Sequence, residues 1–231
     1  MLLIKRIIVV SILSAAWLAI ASSVTAMHMV NDPWQAKLSL SAASKGYTSY
    51  DYNLRGSFEW KVKGKSLQPK NRDEKKSYKH KGIGCSSFVA VVLTRMRYGE
   101  EWGSKYDTTL YQQNGEGIAS AFSLGSAQVT VMAEDLISKS NIGLKEGETY
   151  LFDVQKKINN KWNGRHVGFV TVGSKGELTQ SQYSGLKRST NDKYGGHHTG
   201  DFKKWFKRTK YWTSHRANAR VVFYRIPQAH V

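Results

Sequence analysis

The stretch that decides the fold is Lys81-Gly82-Ile83-Gly84-Cys85-Ser86-Ser87-Phe88-Val89-Ala90-Val91-Val92-Leu93, KGIGCSSFVAVVL. It holds the single cysteine of a 231-residue chain. Phe88, Val89, Val92, Leu93 and Met96 recur at helical spacing, which predicts a helix with a buried stripe. Gly99 is placed to stop it. Gly82 and Gly84 precede it, and Ser86 and Ser87 suit a first turn. Cys85 therefore falls at a helix amino terminus. Unpaired backbone N–H groups and the helix dipole there favour a thiolate and lower the thiol pKa. A cysteine kept for packing alone belongs inside the apolar stripe; this one stands at its end.

The amino terminus bears on why the thiol is alone. Residues 1–26 carry Lys5 and Arg6, an apolar run from Ile7 to Ile20, and small residues ending at Ala26. That order predicts a secretory signal peptide cleaved after Ala26. The run is shorter than the ~20 residues of a spanning helix, and no cysteine follows it for lipid attachment. The expected mature protein is secreted or periplasmic, with 205 residues, a size that one domain can fill. Structural cysteines in an oxidising compartment come in pairs, so the unpaired Cys85 is a candidate nucleophile. The formal charge of +18 becomes +16 without Lys5 and Arg6. Such an excess repels itself and suits an anionic partner: a cell-wall polymer, an acidic lipid surface or nucleic acid. Export argues against the last. Oligomeric state is not legible.

A nucleophilic thiol needs a base. Seven histidines are available, and His166 has the most telling setting. GRHVGFVTVG (164–173) reads as a strand with His166, Gly168, Val170 and Val172 on one face and Val167, Phe169 and Thr171 on the other. The small Gly168 leaves room beside His166 for a helix end or a substrate. Upstream, LKEGETYLFDV (144–154) gives a turn at Gly147 and a strand over Thr149–Val154. Downstream, ELTQSQYSG (177–185) gives a third strand. A two-residue turn at Ser174-Lys175 pairs His166 with Tyr183. A three-residue turn with Gly176 in the left-handed conformation instead places Gln180 and Gln182 on the face of His166. Gly176 favours the second, because only glycine takes that conformation cheaply. His28, His80, His197, His198, His215 and His230 fall in apparent loops or near the termini. His197 and His198, beside Asp201, point to opposite sides of an extended chain and read as a solvated loop. Neither a metal nor another cofactor is required.

At this point the chain resembles a known family. GCSSFV is similar to the Cys-Ser-Gly-Phe-Val motif of NlpC-type cell-wall cysteine peptidases. LKEGETYLF resembles their Leu-x-x-Gly-Asp-Leu-Val-Phe-Phe strand, HVGFVTVG their His-Val-Gly-Ile-Tyr strand, and ARVVFYRI (219–226) their closing strand. The blocks keep the family's order over roughly Tyr78 to Ile226. The resemblance implies a papain-like α+β fold, with a nucleophile helix packed on an antiparallel sheet that carries the base. It implies amide hydrolysis in peptidoglycan stem peptides, with Cys85 as nucleophile and His166 as base. A polar residue on the following strand orients the histidine in the family; Gln180 is the first choice and Gln182 the reserve. Tyr78 and Ser87 are candidate substrate contacts. Gly84 replaces the family's Asp, Ser87 replaces its Gly, and an insertion of approximately Gly99 to Ile142 separates the first two blocks. The competing reading is a non-catalytic wall-binding or membrane-surface protein that keeps the fold.

Two flanking regions complete the chain. DFKKWFKRTKYW (201–212) interleaves cations with aromatic rings. As a helix it would bury Phe202, Trp205 and Phe206 and leave a solvated basic face; a docking surface for anionic glycan or lipid is the alternative. Residues 27–77 read as an elaboration of the 78–231 domain. Asp32-Pro33 before WQAKLSLSAAS predicts a capped helix, SFEWKVKG a short strand, and KNRDEKKSYKHK a charged loop.

Overall fold

The structure is a computed structural model that describes residues 35–47, 51–52, 60–62, 65–67, 82–107, 110, 113–124, 128–186, 195–209 and 218–228. Residues 1–26, Tyr78 and the loop over 70–81 lie outside them. In chain order the elements are α1 (Leu40–Ser44), β1 (Asp51–Tyr52), β2 (Trp60–Val62), β3 (Lys65–Leu67), β4 (Gly82–Ile83) and α2 (Cys85–Tyr98). There follow a 3-10 turn (Gly99–Glu101), α3 (Trp102–Lys105), α4 (Gly115–Ala121), β5 (Gln128–Met132) and α5 (Ala133–Ser138). The rest is β6 (Thr149–Ile158), β7 (Lys161–Val172), β8 (Leu178–Ser184), β9 (Gly196–Asp201), α6 (Phe202–Arg208) and β10 (Ala219–Ile226).

The fold is mixed α+β, built on one eight-stranded sheet in the order β4-β1-β9-β8-β7-β6-β10-β5. Its six long strands, β5 to β10, are all antiparallel. β2 and β3 form a separate hairpin. Strand alternation sends the side chains of β7 to two different layers. On one face Val170 joins Phe152, Val154, Phe202, Trp205, Phe206 and Phe223 in a core that includes α5 and α6. On the other face Phe88 of α2 packs on Phe169 and Tyr183, with ring centroids 5.9 and 5.0 Å apart.

The α2 sequence buries more than its predicted stripe. Phe88 to Leu93 are all fully buried, because the helix is enclosed on several sides. Burying five large apolar side chains there is worth on the order of 10 kcal/mol before ordering entropy is subtracted. That packing fixes where the helix begins. Gly99, with φ 58°, ends it as expected, and its N–H bonds to the Arg95 carbonyl.

β6 and β7 run longer than the sequence reading placed them. They continue to Ile158 and begin at Lys161, joined by Asn159 and Asn160 at φ 49° and 61°, the paired left-handed conformation of a tight hairpin turn. The next hairpin has the three-residue form: Gly176 sits at φ 73°, and Gly173 N–H bonds to the Glu177 carbonyl at 2.9 Å. Val170 then pairs with Gln180 and Phe169 with Ser181, so even-numbered residues of β7 and β8 share a face. Two expectations are corrected. His197 and His198 lie in β9 rather than a solvated loop. The helix expected after Asp32 is the short α1, whose cap is Ser39, with its hydroxyl accepting the Ala42 N–H at 3.3 Å. The Phe202–Arg208 helix buries Phe202, Trp205 and Phe206, as its spacing predicted.

Candidate active site

Cys85 is the first residue of α2. Gly84 before it is extended (φ −84°, ψ 164°) and has no side chain to cap the helix, so the first-turn N–H groups receive no side-chain cap bond. A cleft of about 210 Å³ lies against this end, lined by residues 84–87, by Gln113 and Asn114, by Asp153 and by residues 164–167. Cys85 is 9% exposed and lines it. The sulfur stands at the wall of an opening.

The ladder between β7 and β8 runs from Val172–Leu178 to Phe169–Ser181 and stops there. The edge of β7 beside His166 and Val167 is left for the start of α2, and His166 and Cys85 meet across it. Burial pushes the Cys85 thiol up, but the His166 hydrogen bond and positive charge outweigh it, with further donation from Val167 N–H and the Ser86 side chain, so the pKa is lowered. For His166, burial pushes the pKa down, but the Cys85 bond and charge, the Gln182 bond and the charge of Asp153 raise it above its ordinary value. The two shifts run in opposite directions, and both favour the charged thiolate–imidazolium form over what isolated groups would show.

The bond that orients His166 corrects the first choice made from sequence. Its Nε2 is held by Oε1 of Gln182, which leaves Nδ1 to face the thiol. Gln180 does not bond the ring; it stands one layer back, where its Oε1 accepts the Gln182 Nε2–H at 2.8 Å. Both amides are buried, Gln180 at 4% and Gln182 at 0% exposure. The space beside Gly168 is also filled differently from the expectation. A Cβ there would stand 2.6 Å from the Gln182 Cβ and 2.7 Å from the Phe152 ring, so the glycine admits the orienting amide rather than a helix or a substrate. The imidazole also packs against Trp205 and Phe152, at centroid distances of 5.4 and 6.0 Å.

Asp153 is a member of the site that the sequence reading missed. Its signal was an acid inside the apolar run TYLFDV. The side chain is fully buried, and burial pushes its pKa up to about 6. Its Oδ2 accepts the Gln155 Nε2–H at 2.8 Å, and the Glu116 N–H also donates to the carboxylate. Gln155 in turn accepts from Arg220 Nε at 2.8 Å, and the Arg220 guanidinium lies 4.3 Å from the Trp162 ring centroid. A register shift between Val154 and Gln155 leaves Arg165 without a partner on β6. This bulge sets Gly164 beside the carboxylate while His166 keeps the opposite face.

The insertion contributes Gln113 and Asn114 to the cleft, with Asn114 capping α4 by accepting the Gly117 N–H at 2.9 Å. Ser87 is 3% exposed and lines the cleft. Tyr78, the other proposed substrate contact, lies outside the described residues. His197 Nε2 pairs with Ser181 Oγ at 2.9 Å and His198 Nε2 with the Leu186 carbonyl at 2.9 Å. Among the described residues no group of three or more His, Cys, Asp and Glu is placed to hold a metal, and no helix is long and apolar enough to cross a membrane. Compared with known proteins, the sequence matches no protein-family model and no curated protein.

Proposed function

We propose that this protein is an exported cysteine amidase or endopeptidase with a papain-like, NlpC-type domain, hydrolysing amide bonds in peptidoglycan stem peptides. The observation that carries the reading is the Cys85–His166 contact on the wall of an open cleft, with Gln182 holding the far nitrogen of the imidazole. The helix-then-sheet order of nucleophile and base and the antiparallel strand arrangement support the fold assignment. The large positive charge suits an anionic wall polymer, with contact to a membrane surface as a secondary use of the same charge.

The chemistry is acyl transfer. The Cys85 thiolate attacks the amide carbon, and charge moves onto the carbonyl oxygen. The backbone N–H of Cys85, at the uncapped helix start, donates to that oxygen; one such donor is worth about 3 kcal/mol to a transition state. The C–N bond breaks as imidazolium His166 gives its proton to the leaving amine. Water then adds to the thioester with His166 taking its proton, and the carboxylic acid leaves as the thiolate returns. Gln182 accepts the Nε2–H throughout and holds one tautomer without adding a charge.

The test is digestion of purified peptidoglycan by the wild type and by Cys85→Ala, with fragments identified by mass spectrometry. New amine and carboxylate ends at one amide bond, absent with Cys85→Ala, are expected. An intact wall after digestion with active-thiol protein overturns the reading in favour of a binding protein.

A further inference from the structure

We infer that the groove between α6 and the strands β8 and β9 is a second ligand site, which takes a phosphodiester and is coupled through two buried amides to His166. It goes beyond the amidase reading, and both binding and coupling are measured without turnover.

The site begins at the end of a hydrogen-bond chain. Imidazolium His166 donates from Nε2 to Gln182 Oε1, so the Gln182 amide presents its Nε2–H on the other side. That N–H goes to Gln180 Oε1 at 2.8 Å, which leaves Gln180 Nε2 as a donor in its turn. Among the described residues nothing accepts from it, and it is not one of the polar atoms sealed from solvent. Gln180 is 4% exposed and lines a groove of about 400 Å³. Trp205 of α6 forms part of the same wall and packs on the His166 ring at 5.4 Å. One indole and two amides therefore separate the groove from the imidazole.

Charge and shape select the ligand. Lys204 and Arg208, one turn apart on α6, are exposed and line the groove, and Thr199 of β9 adds an exposed hydroxyl. Asp201 lines it too; its Oδ1 accepts the Lys204 N–H at 2.8 Å, and its charge offsets one of the two cations. His198, counted as neutral, pairs its Nε2 with the Leu186 carbonyl at 2.9 Å. The groove is left with a single net positive charge. A phosphodiester brings one negative charge, whereas a phosphate monoester brings about 1.5 to 2 at pH 7. Donors on the sheet and on the helix above it do not share a plane, which suits tetrahedral oxygens better than a flat carboxylate. The volume is that of about thirteen waters, enough for a phosphate with a glycerol-sized group attached. The same chemistry occurs in a phospholipid headgroup and in a free glycerophosphodiester.

A bound anion accepts from Gln180 Nε2–H, strengthens the amide bonds behind it and favours the charged imidazole. The other charged groups acting on the ring are Cys85 of α2 and Asp153 of β6. With ligand in the groove, His166 keeps to higher pH the proton that a leaving amine needs. By linkage, the ligand binds the imidazolium form more tightly by the same factor.

The test uses Cys85→Ala with His198→Gln, so that neither the thiol nor the groove's own histidine titrates. The His166 imidazole is followed by NMR from pH 5 to 9, with and without saturating glycerophosphoglycerol. Its pKa is expected to rise by about half a unit, the effect of one partly screened charge on the order of 10 Å away. Calorimetry at the two ends of that titration should give affinities differing about threefold. Adding Lys204→Gln and Arg208→Gln, both at exposed positions, should weaken binding at least about tenfold. Phosphatidylglycerol vesicles distinguish the sources: binding far tighter than to the free diester assigns the lipid headgroup, and equal affinity assigns the free diester. No binding of either, affinity unchanged by the two α6 substitutions, or binding that leaves the His166 pKa in place overturns the inference. None of these failures alters peptidoglycan digestion by the wild type, and an undigested wall leaves the groove's binding and coupling intact.

Discussion

A carboxylate that is ionised in a fully buried site should cost the folded protein stability, and the cost can be read as a function of pH. Burial raises the Asp153 pKa from 3.8 to about 6. The native state therefore holds a proton between about pH 4 and pH 6 that the unfolded chain has already released. Stability falls as pH rises through that window, and above it the penalty is fully present. A shift of about two units corresponds to roughly 3 kcal/mol. Asp153→Asn removes the charge and keeps an oxygen to accept from Gln155 Nε2 and Glu116 N–H. At pH 7.5 the variant should be about 3 kcal/mol more stable, which for a chain of this size is roughly 6–12 °C in melting temperature. At pH 3.5, where the carboxyl is protonated in the native state and mostly protonated in the unfolded chain, the two proteins should melt close together. The assay is a melting series by circular dichroism from pH 3.5 to 7.5 at fixed ionic strength. A constant difference between the two proteins across that range, or a less stable variant at pH 7.5, would refute the account of Asp153 as an uncompensated buried charge.

Further outcomes follow from the same site. Alkylation of Cys85 by iodoacetamide should persist to lower pH in the wild type than at an ordinary thiol, because the thiol pKa is lowered by His166; in His166→Ala the rate should climb only toward the ordinary thiol pKa. Gln182→Ala should reduce turnover of a cleaved peptide by about 10- to 100-fold, and should draw in the alkaline limb of the rate profile, since Gln182 helps to raise the His166 pKa. Gln180→Ala, which acts on the ring only through Gln182, should cost less, and equal losses would contradict the order of the two amides. Gly168→Ala places a methyl against Gln182 and Phe152 and should destabilise by about 1–3 kcal/mol in urea titrations. Gly176→Ala meets no atom within 4 Å, yet at φ 73° it should still lose about 1 kcal/mol from backbone strain alone.

The parts of the fold that were legible are those that carry local rules. The helix after Cys85 was readable from its apolar spacing and from Gly99, the hairpin register from Gly176, and the faces of β7 from alternation. The choice between Gln180 and Gln182 was not, because both share one face and the selection depends on how far β8 continues beyond the last ladder pair. Gly168 suggested free space, but only packing shows that a glutamine from the neighbouring strand enters it. Asp153 was hidden because pattern reading treats a single acid in an apolar strand as noise. Its partner Glu116 comes from a separate element, α4, and the bulge that brings Gly164 alongside has no marker of its own. His197 and His198 were misread for the opposite reason: glycines and polar residues look like a loop when the pairing partner, here β8, is not in view.

That bulge makes the chain unequally tolerant of length changes along a single hairpin. At the Asn159-Asn160 tip, adding or removing one residue from each arm shortens or lengthens two ribbons in step, and every side chain farther down keeps its side. Deleting Arg165 alone would restore an unbroken ladder with Gly164 still opposite Gln155 and Trp162 still opposite Lys157, whereas deleting Asn163 would put Arg165 opposite Gln155 and turn Gly164 to the other face. In the second case the Asp153 carboxylate would lose its bare neighbour; in the first it would keep it. The irregular residue is therefore slack in the arm, and a single-residue deletion scan over 161–165 should find its one tolerant point there, well away from the tip.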